Sequence, residues 1–304
     1  MKLIKPSFEI REQPSGLEGV YKQIEGAGRV CYKSEDKIAE GTAKAFVDRM
    51  IASGHGAMLE HGTVYLKCET EVINRYIHPE DGEEEDFNKL EKYEYNSYSV
   101  TNDDGIYLYV TTNLRVLVEN DWLDDLQYIC EPTEYHEKRI TVKFICDRGV
   151  SHEFVRHRVF SFAQESTRYC NYSKDKFDSE CTFIIPCWLN IVEGSYTLED
   201  VEEKYDRCLI TDSGKGITNE AAEYIRSLIY SEKTYFSLLD RNWRPQQARA
   251  VLPNSLKTEL VMTGFVSDWK HFFELRCSSS AHPQARELAI PLQKEFIARG
   301  YINN

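Results

Sequence analysis

Arginine, glutamate and hydroxyl side chains are crowded into one short segment, RHRVFSFAQESTRY. Arg156, Arg158 and Arg168 supply guanidinium groups, whose forked N–H donors can bind two phosphate oxygens at once. Glu165 and Ser166 add groups that can hydrogen-bond a neutral polar ring. The segment therefore predicts a nucleotide site that holds the phosphate at one end and the edge of the base at the other. An isolated RHR triplet on a surface helix would carry little weight, so the prediction depends on the whole segment.

The spacing within this segment is also that of a known family. Ser166 follows the RHR triplet after seven residues, and Gln164, Glu165, Arg168 and Tyr169 accompany it. This pattern resembles the signature of the flavin-dependent thymidylate synthases. The resemblance implies an enzyme that converts dUMP to dTMP, with methylenetetrahydrofolate and NADPH as cosubstrates. It also implies FAD as the cofactor that does the redox chemistry, while protein groups position and polarise the substrate.

Three further segments resemble parts of the same family. GHGAMLEH ends at His61, which matches a histidine near the flavin and the folate. PQQARAVLP contains Arg249, which matches an arginine that contacts the nucleotide. FFELRCSSSAHPQA contains Arg276, which matches the arginine that grips the pyrimidine ring. The order of the segments also agrees, and the resemblance covers about residues 15–300.

The resemblance assigns roles residue by residue. The predicted catalytic residues are Arg276, Arg249, Ser166 and His61, with the two arginines stabilising charge that develops on the uracil oxygens. The predicted dUMP contacts are Glu153, Arg156, Glu165, Ser166, Arg168, Arg249 and Arg276. The predicted FAD contacts are His61, Arg156, His157, Arg158, Glu165, His271 and Ser267. Glu153 stands where many relatives have Gln, and Ser267 and His271 stand where some have Asn and Arg.

Two other functions stay open. A related flavin-dependent enzyme that modifies another pyrimidine nucleotide would keep the signature and differ in its pyrimidine contacts. A non-catalytic nucleotide-binding homologue would be favoured by the loss of Arg249 or Arg276, and both are present. A nucleophilic cysteine is not indicated, because Cys277 beside Arg276 is the nearest candidate and is more typical of a core thiol. No metal is implied, since the eight histidines form no ligand spacing such as HExxH.

Composition limits the partners and the compartment. The formal net charge of −13 disfavours a broad basic surface for nucleic acid, although a local basic pocket for a small anion is compatible with it. No apolar run approaches the roughly 20 residues of a membrane span, and the first residues lack the apolar core of a signal peptide. Nine scattered cysteines without a CxxC pair predict free thiols in the cytoplasm. The resemblance further implies a homotetramer with active sites shared between subunits.

Periodicity and capping residues predict the elements that position these side chains. The predicted strands are 62–69, 105–111 and 139–146. The predicted helices are 35–53, 112–130, 150–160 after a turn at 147–149, 218–239, one from Pro245 to before Pro253, 268–276, and one from Pro283. Thr218 is the predicted N-cap of 218–239, and Ser267 that of 268–276.

The predicted fold class is α+β, with residues 1–304 forming one domain. The resemblance implies the thymidylate synthase-complementing protein type, in which a central, mostly antiparallel sheet is flanked by helices. The stretch 78–95 is the most polar and predicts a solvated acidic loop or an exposed helix. It lies within residues 70–104, which we interpret as a peripheral insertion relative to compact members of the family.

Overall fold

A computed structural model describes residues 1–70, 73–77, 84–174, 177, 179–202 and 218–303, without the side chains of 73–77, 84–87 and 202. The strands are β1 (Lys2–Ile4), β2 (Ser7–Arg11), β3 (Thr63–Glu69), β4 (Ile73–Ile77), β5 (Glu84–Asn88), β6 (Val100–Asp103), β7 (Tyr107–Asn113), β8 (Arg139–Asp147), β9 (Ser161–Gln164), β10 (Thr182–Ile184), β11 (Gly194–Ser195) and β12 (Lys257–Phe265). The helices are α1 (Gly16–Val30), α2 (Thr42–Ala52), α3 (Gly56–Leu59), α4 (Leu114–Glu119), α5 (Arg148–Phe154), α6 (Leu198–Glu202), α7 (Asn219–Asp240), α8 (Pro245–Ala248), α9 (Val266–Arg276) and α10 (Pro283–Ala298). The predicted α+β class is confirmed.

The sheet that carries the site has the order β2-β8-β12-β9, and all its pairings are antiparallel. β8 and β12 pair over nine residues, from Arg139 opposite Phe265 to Asp147 opposite Lys257. Because successive side chains alternate between faces, one face receives a continuous apolar set. That face packs against α5, α9 and α10, and its core residues include Ile140, Val142, Phe144, Leu260, Met262, Trp269, Phe272, Leu288 and Phe296.

The remaining strands form separate sheets. β3, β7 and β6 pair antiparallel and pack with α1, α2 and α4 around a second apolar cluster. β1 pairs parallel with β10 and antiparallel with β11, beside α7. β4 and β5 form an antiparallel pair. The mostly antiparallel character is thus confirmed, with the strands divided among several sheets. No helix of the described ranges is long and apolar enough to cross a membrane.

The second face of the β8–β12 pair is polar yet mostly buried. Lys257 Nζ lies 2.7 Å from Glu165 and 2.6 Å from Glu259, whose side chains are 0% and 4% exposed. Lys143 also pairs with Glu259, and Lys33, after α1, reaches the same carboxylate at 2.5 Å. Although burial alone raises the pKa of a carboxyl, the Lys257 and Lys143 ammonium groups hold the pKa of Glu259 well below its usual value. We call Lys33, Lys143, Lys257, Glu165 and Glu259 the buried charge network.

Two predicted helices are interrupted by left-handed residues. The helix predicted at 35–53 begins only at Thr42, because Gly41 before it has a φ of 75°. Gly54, with a φ of 69°, follows its C-cap. The helix predicted at 112–130 is α4 and then a short 3-10 turn, because Asp121 has a φ of 60°. Residues 112 and 113 belong to β7 instead.

The predictions around the arginine motif were partly wrong. Residues 147–149 form no turn, because Asp147 ends β8 and caps α5 directly. The helix ends at Phe154, so the RHR triplet lies after it rather than within it. Ser267 is not an N-cap either. Helix α9 starts at Val266, two residues before the predicted start, and the Asp268 carboxylate accepts a hydrogen bond from the Phe265 N–H at 3.0 Å.

The later helices match the predictions. Thr218 caps α7 by accepting a hydrogen bond from the Ala221 N–H. The apolar residues spaced three to four apart along α7 and α10 are buried, namely Ile225, Leu228, Ile229, Leu288, Leu292 and Phe296. The helix predicted from Pro245 is short α8, followed by a 3-10 turn at Arg249–Val251.

The acidic stretch is only partly peripheral. Residues 78–83 lie outside the described residues, and 84–88 form β5. Leu90 and Tyr93 are fully buried against the β3–β7 sheet, where the Tyr93 hydroxyl donates to Asp125 at 3.0 Å. The prediction of a fully solvated loop or exposed helix at 78–95 was therefore wrong at its C-terminal end, because two apolar side chains serve the core.

Removing the central lysine of the buried charge network tests its contribution to stability. Lys257→Met leaves the Glu165 carboxylate buried without a cationic partner among the described residues. We expect the free energy of unfolding to fall by about 3–5 kcal/mol at pH 7. The loss should shrink as the pH is lowered, since a stranded buried carboxylate takes up a proton more readily in the folded state.

Chemical denaturation of the two proteins at pH 7 and pH 5 measures this effect. Lys44→Met is the matched control, because Lys44 is exposed and its ion pair within the described residues is with exposed Asp48. It should cost less than about 1 kcal/mol. Equal losses for the two variants would show that the buried network contributes nothing specific.

Candidate active site

Helix α5 joins the central sheet to the predicted site. The Asp147 carboxylate, at the end of β8, accepts a hydrogen bond from the Val150 N–H at 2.7 Å and so caps the helix. It also accepts one from the Gln284 amide at 2.7 Å, which ties α5 to the start of α10. Burial raises the pKa of Asp147 above its usual value. α5 is therefore held at its first turn by two neighbouring elements.

Three predicted residues meet at the far end of α5, and we call them the Arg276 cluster. Arg276, the last residue of α9, donates from Nε to His157 Nε2 at 2.9 Å. Its Nη1 donates to the Glu153 carboxylate at 2.8 Å, and its Nη2 to the Glu153 carbonyl oxygen at 2.7 Å. A guanidinium has five N–H groups, so one donor remains on each terminal nitrogen. Arg276 is thus fixed in direction and can still bind two acceptor atoms.

Aromatic rings surround His157 in this cluster. Its ring centroid lies 5.0 Å from that of Phe272 and 6.2 Å from that of Phe160. Burial, followed by the Arg276 charge and then by His271, lowers the pKa of His157 to about 4. The imidazole is therefore neutral at pH 7, as it must be to accept a hydrogen bond at Nε2. Burial also lowers the pKa of Arg276 despite the Glu153 carboxylate.

A second group, the Arg249 cluster, lies at the beginning of α5. Arg249 donates from Nη1 to the Thr167 hydroxyl at 2.9 Å, and with Arg148 and Thr167 it lines a cavity of about 230 Å³. Arg168, next to Thr167, donates to the Gln246 side chain at 3.2 Å. Ser166 is half-buried, and its hydroxyl oxygen accepts from the Arg168 N–H at 3.3 Å. Two arginines, Arg148 and Arg249, thus line one cavity, and Arg168 lies close to it in sequence through Thr167.

Arg148 was missed by the sequence predictions. It was predicted to be part of a turn, whereas it is the first residue of α5 and lines the cavity of the Arg249 cluster. An arginine directly after a buried strand was the signal that could have found it. The five-residue step from Arg148 to Glu153 places the two clusters about 8 Å apart along the helix axis.

The RHR triplet divides between the surface and the interior. Arg156 and Arg158 are exposed, and neither forms an ion pair within the described part of the chain, whereas His157 is buried. Ser267 and His271 are exposed four residues apart on α9, so they share a face of that helix. These positions are accessible to a ligand, as the predicted FAD contacts require, with His157 as the exception.

Glu165 does not have the accessible position that the sequence predicted. The residue is 1% exposed, and its two oxygens accept from Lys257 at 2.7 Å and from the Tyr172 hydroxyl at 3.3 Å. Direct contact with dUMP or FAD is therefore excluded for this carboxylate in the folded chain. The prediction was wrong because the Glu165 side chain pairs with Lys257 on β12. That partner is remote in sequence, so the local motif does not indicate it.

His61 is likewise in the core rather than at a ligand surface. It is 0% exposed, and its Nδ1 lies 2.8 Å from the Thr263 hydroxyl on β12. Burial, and then the Arg139 charge, lowers the pKa of His61 to about 3. The predicted contact of His61 with flavin is thus not available. In the same segment His55 is exposed, so it is the histidine that a ligand can reach.

The cysteines of the described residues lie mostly in the interior. Eight cysteines of the described residues form no disulfide, and Cys208 lies outside them. Burial raises the pKa of Cys277, next to Arg276, and raises that of Cys130 to about 11. A reactive thiolate requires the opposite shift. The described residues also contain no group of three metal-ligating side chains.

Several known proteins have sequences similar to that of this chain. The thymidylate synthase complementing protein family matches residues 132–299, which is more than half of the chain. A flavin-dependent thymidylate synthase from Corynebacterium aurimucosum is 30% identical over 289 residues, covering 94% of this chain and 78% of the relative. One from Mycolicibacterium gilvum is 30% identical over 151 residues, covering 50% and 54%.

Solved structures were compared as well. That of the UMP/dUMP methylase PolB from Streptomyces cacaoi, bound with 5-Br dUMP, aligns over 98% of this chain and 93% of that chain, with 16% identity and a TM-score of 0.41. The family match and the long alignment with the Corynebacterium enzyme decide the assignment: the chain belongs to the flavin-dependent thymidylate synthase family.

Proposed function

We propose that this protein converts dUMP to dTMP, with methylenetetrahydrofolate as carbon donor and FAD, reduced by NADPH, as hydride source. The observation that carries the proposal is the pair of arginine clusters at the two ends of α5, in a chain of this family. One cluster offers guanidinium groups around an open cavity, and the other offers a single oriented guanidinium with two free donors. A nucleoside monophosphate needs both, for its phosphate and for its base.

The Arg249 cluster suits the phosphate and the polar edge of dUMP. Arg148, Arg168 and Arg249 would bind phosphate oxygens, which favour guanidinium forks. The Ser166 hydroxyl, whose oxygen already accepts one hydrogen bond, keeps its proton for a substrate oxygen. Since burial raises the pKa of the Cys277 thiol beside Arg276, Ser166 and the arginines would bind and orient the substrate without covalent attack.

The Arg276 cluster suits the pyrimidine ring. The two remaining N–H groups of Arg276 would donate to a uracil oxygen and strengthen as negative charge develops there. Because Glu153 and His157 hold the guanidinium in advance, little reorganisation is needed during the reaction. The half-buried position of Arg276 makes that interaction stronger than it would be in water.

The exposed residues around the RHR triplet suit FAD. Arg156 and Arg158 would bind its pyrophosphate, because neither has an anionic partner in the described ranges. Ser267 and His271 would lie along the bound cofactor on the outer face of α9, and His55 offers a third reachable side chain. When bound, the flavin supplies the hydride that the protein's own side chains cannot provide.

The assembly and the compartment complete the proposal. We expect a homotetramer with shared active sites, in the cytoplasm, acting on small molecules. The resemblance to the family supports the homotetramer, and the lack of disulfides among the described cysteines supports a reducing compartment. We also propose one catalytic domain over residues 1–304 with an insertion near 70–104, of which Leu90 and Tyr93 belong to the core.

Cofactor binding gives the first test of the proposed function. The purified protein, incubated with FAD, should be yellow and should oxidise NADPH, faster when dUMP is present. Arg156→Ala should weaken FAD or dUMP binding, because it removes an exposed guanidinium from the predicted phosphate site. Fluorescence titration and NADPH absorbance measure the two effects. A colourless protein that oxidises no NADPH would refute the proposal.

Arg276→Lys tests the pyrimidine contact. Lysine keeps the positive charge but lacks the planar guanidinium. It would therefore still stabilise the C-terminus of α9 as a cation, but it could not bind the pyrimidine with two oriented N–H groups. We expect a folded, FAD-bound enzyme whose dTMP formation falls by roughly a hundredfold or more. Single-turnover assays with pre-reduced enzyme measure this without the NADPH step.

Arg299→Lys is the matched control for this substitution. Arg299 is the C-cap of α10 and pairs with Glu12 and Glu295, away from both clusters. It should keep its dTMP formation within about threefold of wild type, well under 1 kcal/mol of barrier. If Arg276→Lys behaves like this control, Arg276 does not bind the pyrimidine.

A further inference from the structure

The geometry points to His157 as a positioning residue that sets the direction of the Arg276 guanidinium, and not as a contact of FAD. The inference rests on the proposed function, since it concerns how the pyrimidine contact is held. It also reverses the role that the sequence assigned to this histidine. In the RHR triplet the two arginines would then bind the ligand, while the histidine between them would orient Arg276.

Accessibility separates the three members of the triplet. Arg156 and Arg158 are exposed, whereas His157 is 8% exposed. The short turn after α5 produces this pattern, because the His157 N–H donates to the Phe154 carbonyl and the His157 carbonyl accepts from the Phe160 N–H. Both hydrogen bonds, at 3.1 Å, hold the backbone so that the imidazole faces inward. A cofactor on the surface would meet the arginines first.

Hydrogen-bond geometry defines what the imidazole does. Nε2 accepts from Arg276 Nε at 2.9 Å, so its lone pair is already used. The proton of the neutral ring must then be on Nδ1. Packing against Phe272 and Phe160 fixes the plane of the ring, and α9 carries both Phe272 and Arg276. The position of His157 Nε2 relative to the Arg276 guanidinium is therefore fixed by α9.

Two supports act on Arg276 from different directions. His157 accepts from Nε, while the Glu153 carboxylate and carbonyl oxygen accept from the terminal nitrogens. With Glu153 as its only support, the Arg276 guanidinium could still rotate about its side-chain bonds. The hydrogen bond to His157 restricts that rotation. The pKa of His157, lowered to about 4, keeps it an acceptor at neutral pH. A protonated ring would face the guanidinium with a second positive charge.

A pair of substitutions separates the two roles. His157→Phe keeps an aromatic ring against Phe272 and removes the acceptor, while His157→Gln keeps an acceptor in a similar place. We expect His157→Phe to lower single-turnover dTMP formation on the order of tenfold to a hundredfold, because a misdirected donor loses much of its effect. His157→Gln should recover most of that loss. FAD affinity should stay within about threefold of wild type for both variants. If His157 contacted FAD directly, removing it would weaken FAD binding by more than that.

A double-variant cycle shows whether His157 acts through Arg276. In an Arg276→Lys background, His157→Phe should cost less than about threefold, because the group that it orients is already gone. His152→Gln is the matched control, as His152 is an exposed histidine of α5. The inference would be overturned if the losses of dTMP formation in the two single variants were fully additive. It would also be overturned if FAD affinity fell enough to account for the lost dTMP formation.

The tautomer of His157 gives a test that needs no variant to fold and no turnover. Nuclear magnetic resonance of the protein with isotope-labelled histidine should show the His157 ring neutral at pH 7, with its proton on Nδ1. A proton on Nε2, or a charged ring at pH 7, would contradict the bond to Arg276. Because this signal is read without substrate, it can fail while the proposed enzyme activity stands, and the activity can fail while it holds.

Discussion

The nine-residue pairing of β8 with β12 is the constraint on which the rest of the structure depends. Its register sends apolar side chains to the face covered by α9 and α10, where Trp269 donates from its indole N–H to the Ile140 carbonyl at 3.1 Å. The same register sends lysine and glutamate side chains to the opposite face. A shift of one residue would exchange the two faces and bury the charges in the aromatic core.

Site residues take their positions from the ends of elements that this sheet holds. β8 ends at Asp147, which caps α5, and α5 carries Arg148 at its start and Glu153 near its end. α9 packs on β8 and β12 and ends at Arg276, which reaches Glu153 and His157. The two arginine clusters are thus connected by one short helix whose first turn is fixed by a buried carboxylate. Local rigidity of this kind favours preorganised binding of a small anionic substrate.

The sequence predicted the motif residues better than it predicted their surroundings. Arg276 is remote in sequence from Glu153 and His157 and meets both in the structure, and the apolar alternation of β8 was readable from Ile140 to Cys146. Glu165 and His61 were placed at ligand surfaces, yet both are buried through contacts with β12. Long-range partners decide the burial of a polar side chain, and a local pattern does not contain them.

Conversion of dUMP to dTMP is the central claim, and direct analysis of the product tests it. The FAD-loaded enzyme is incubated with dUMP, methylenetetrahydrofolate and NADPH, and the nucleotides are then separated and identified by mass spectrometry. Parallel reactions contain UMP or dCMP in place of dUMP. The account predicts dTMP from dUMP, dependent on every component. A protein that binds dUMP and FAD but leaves dUMP unchanged, or that methylates one of the other nucleotides instead, would contradict it.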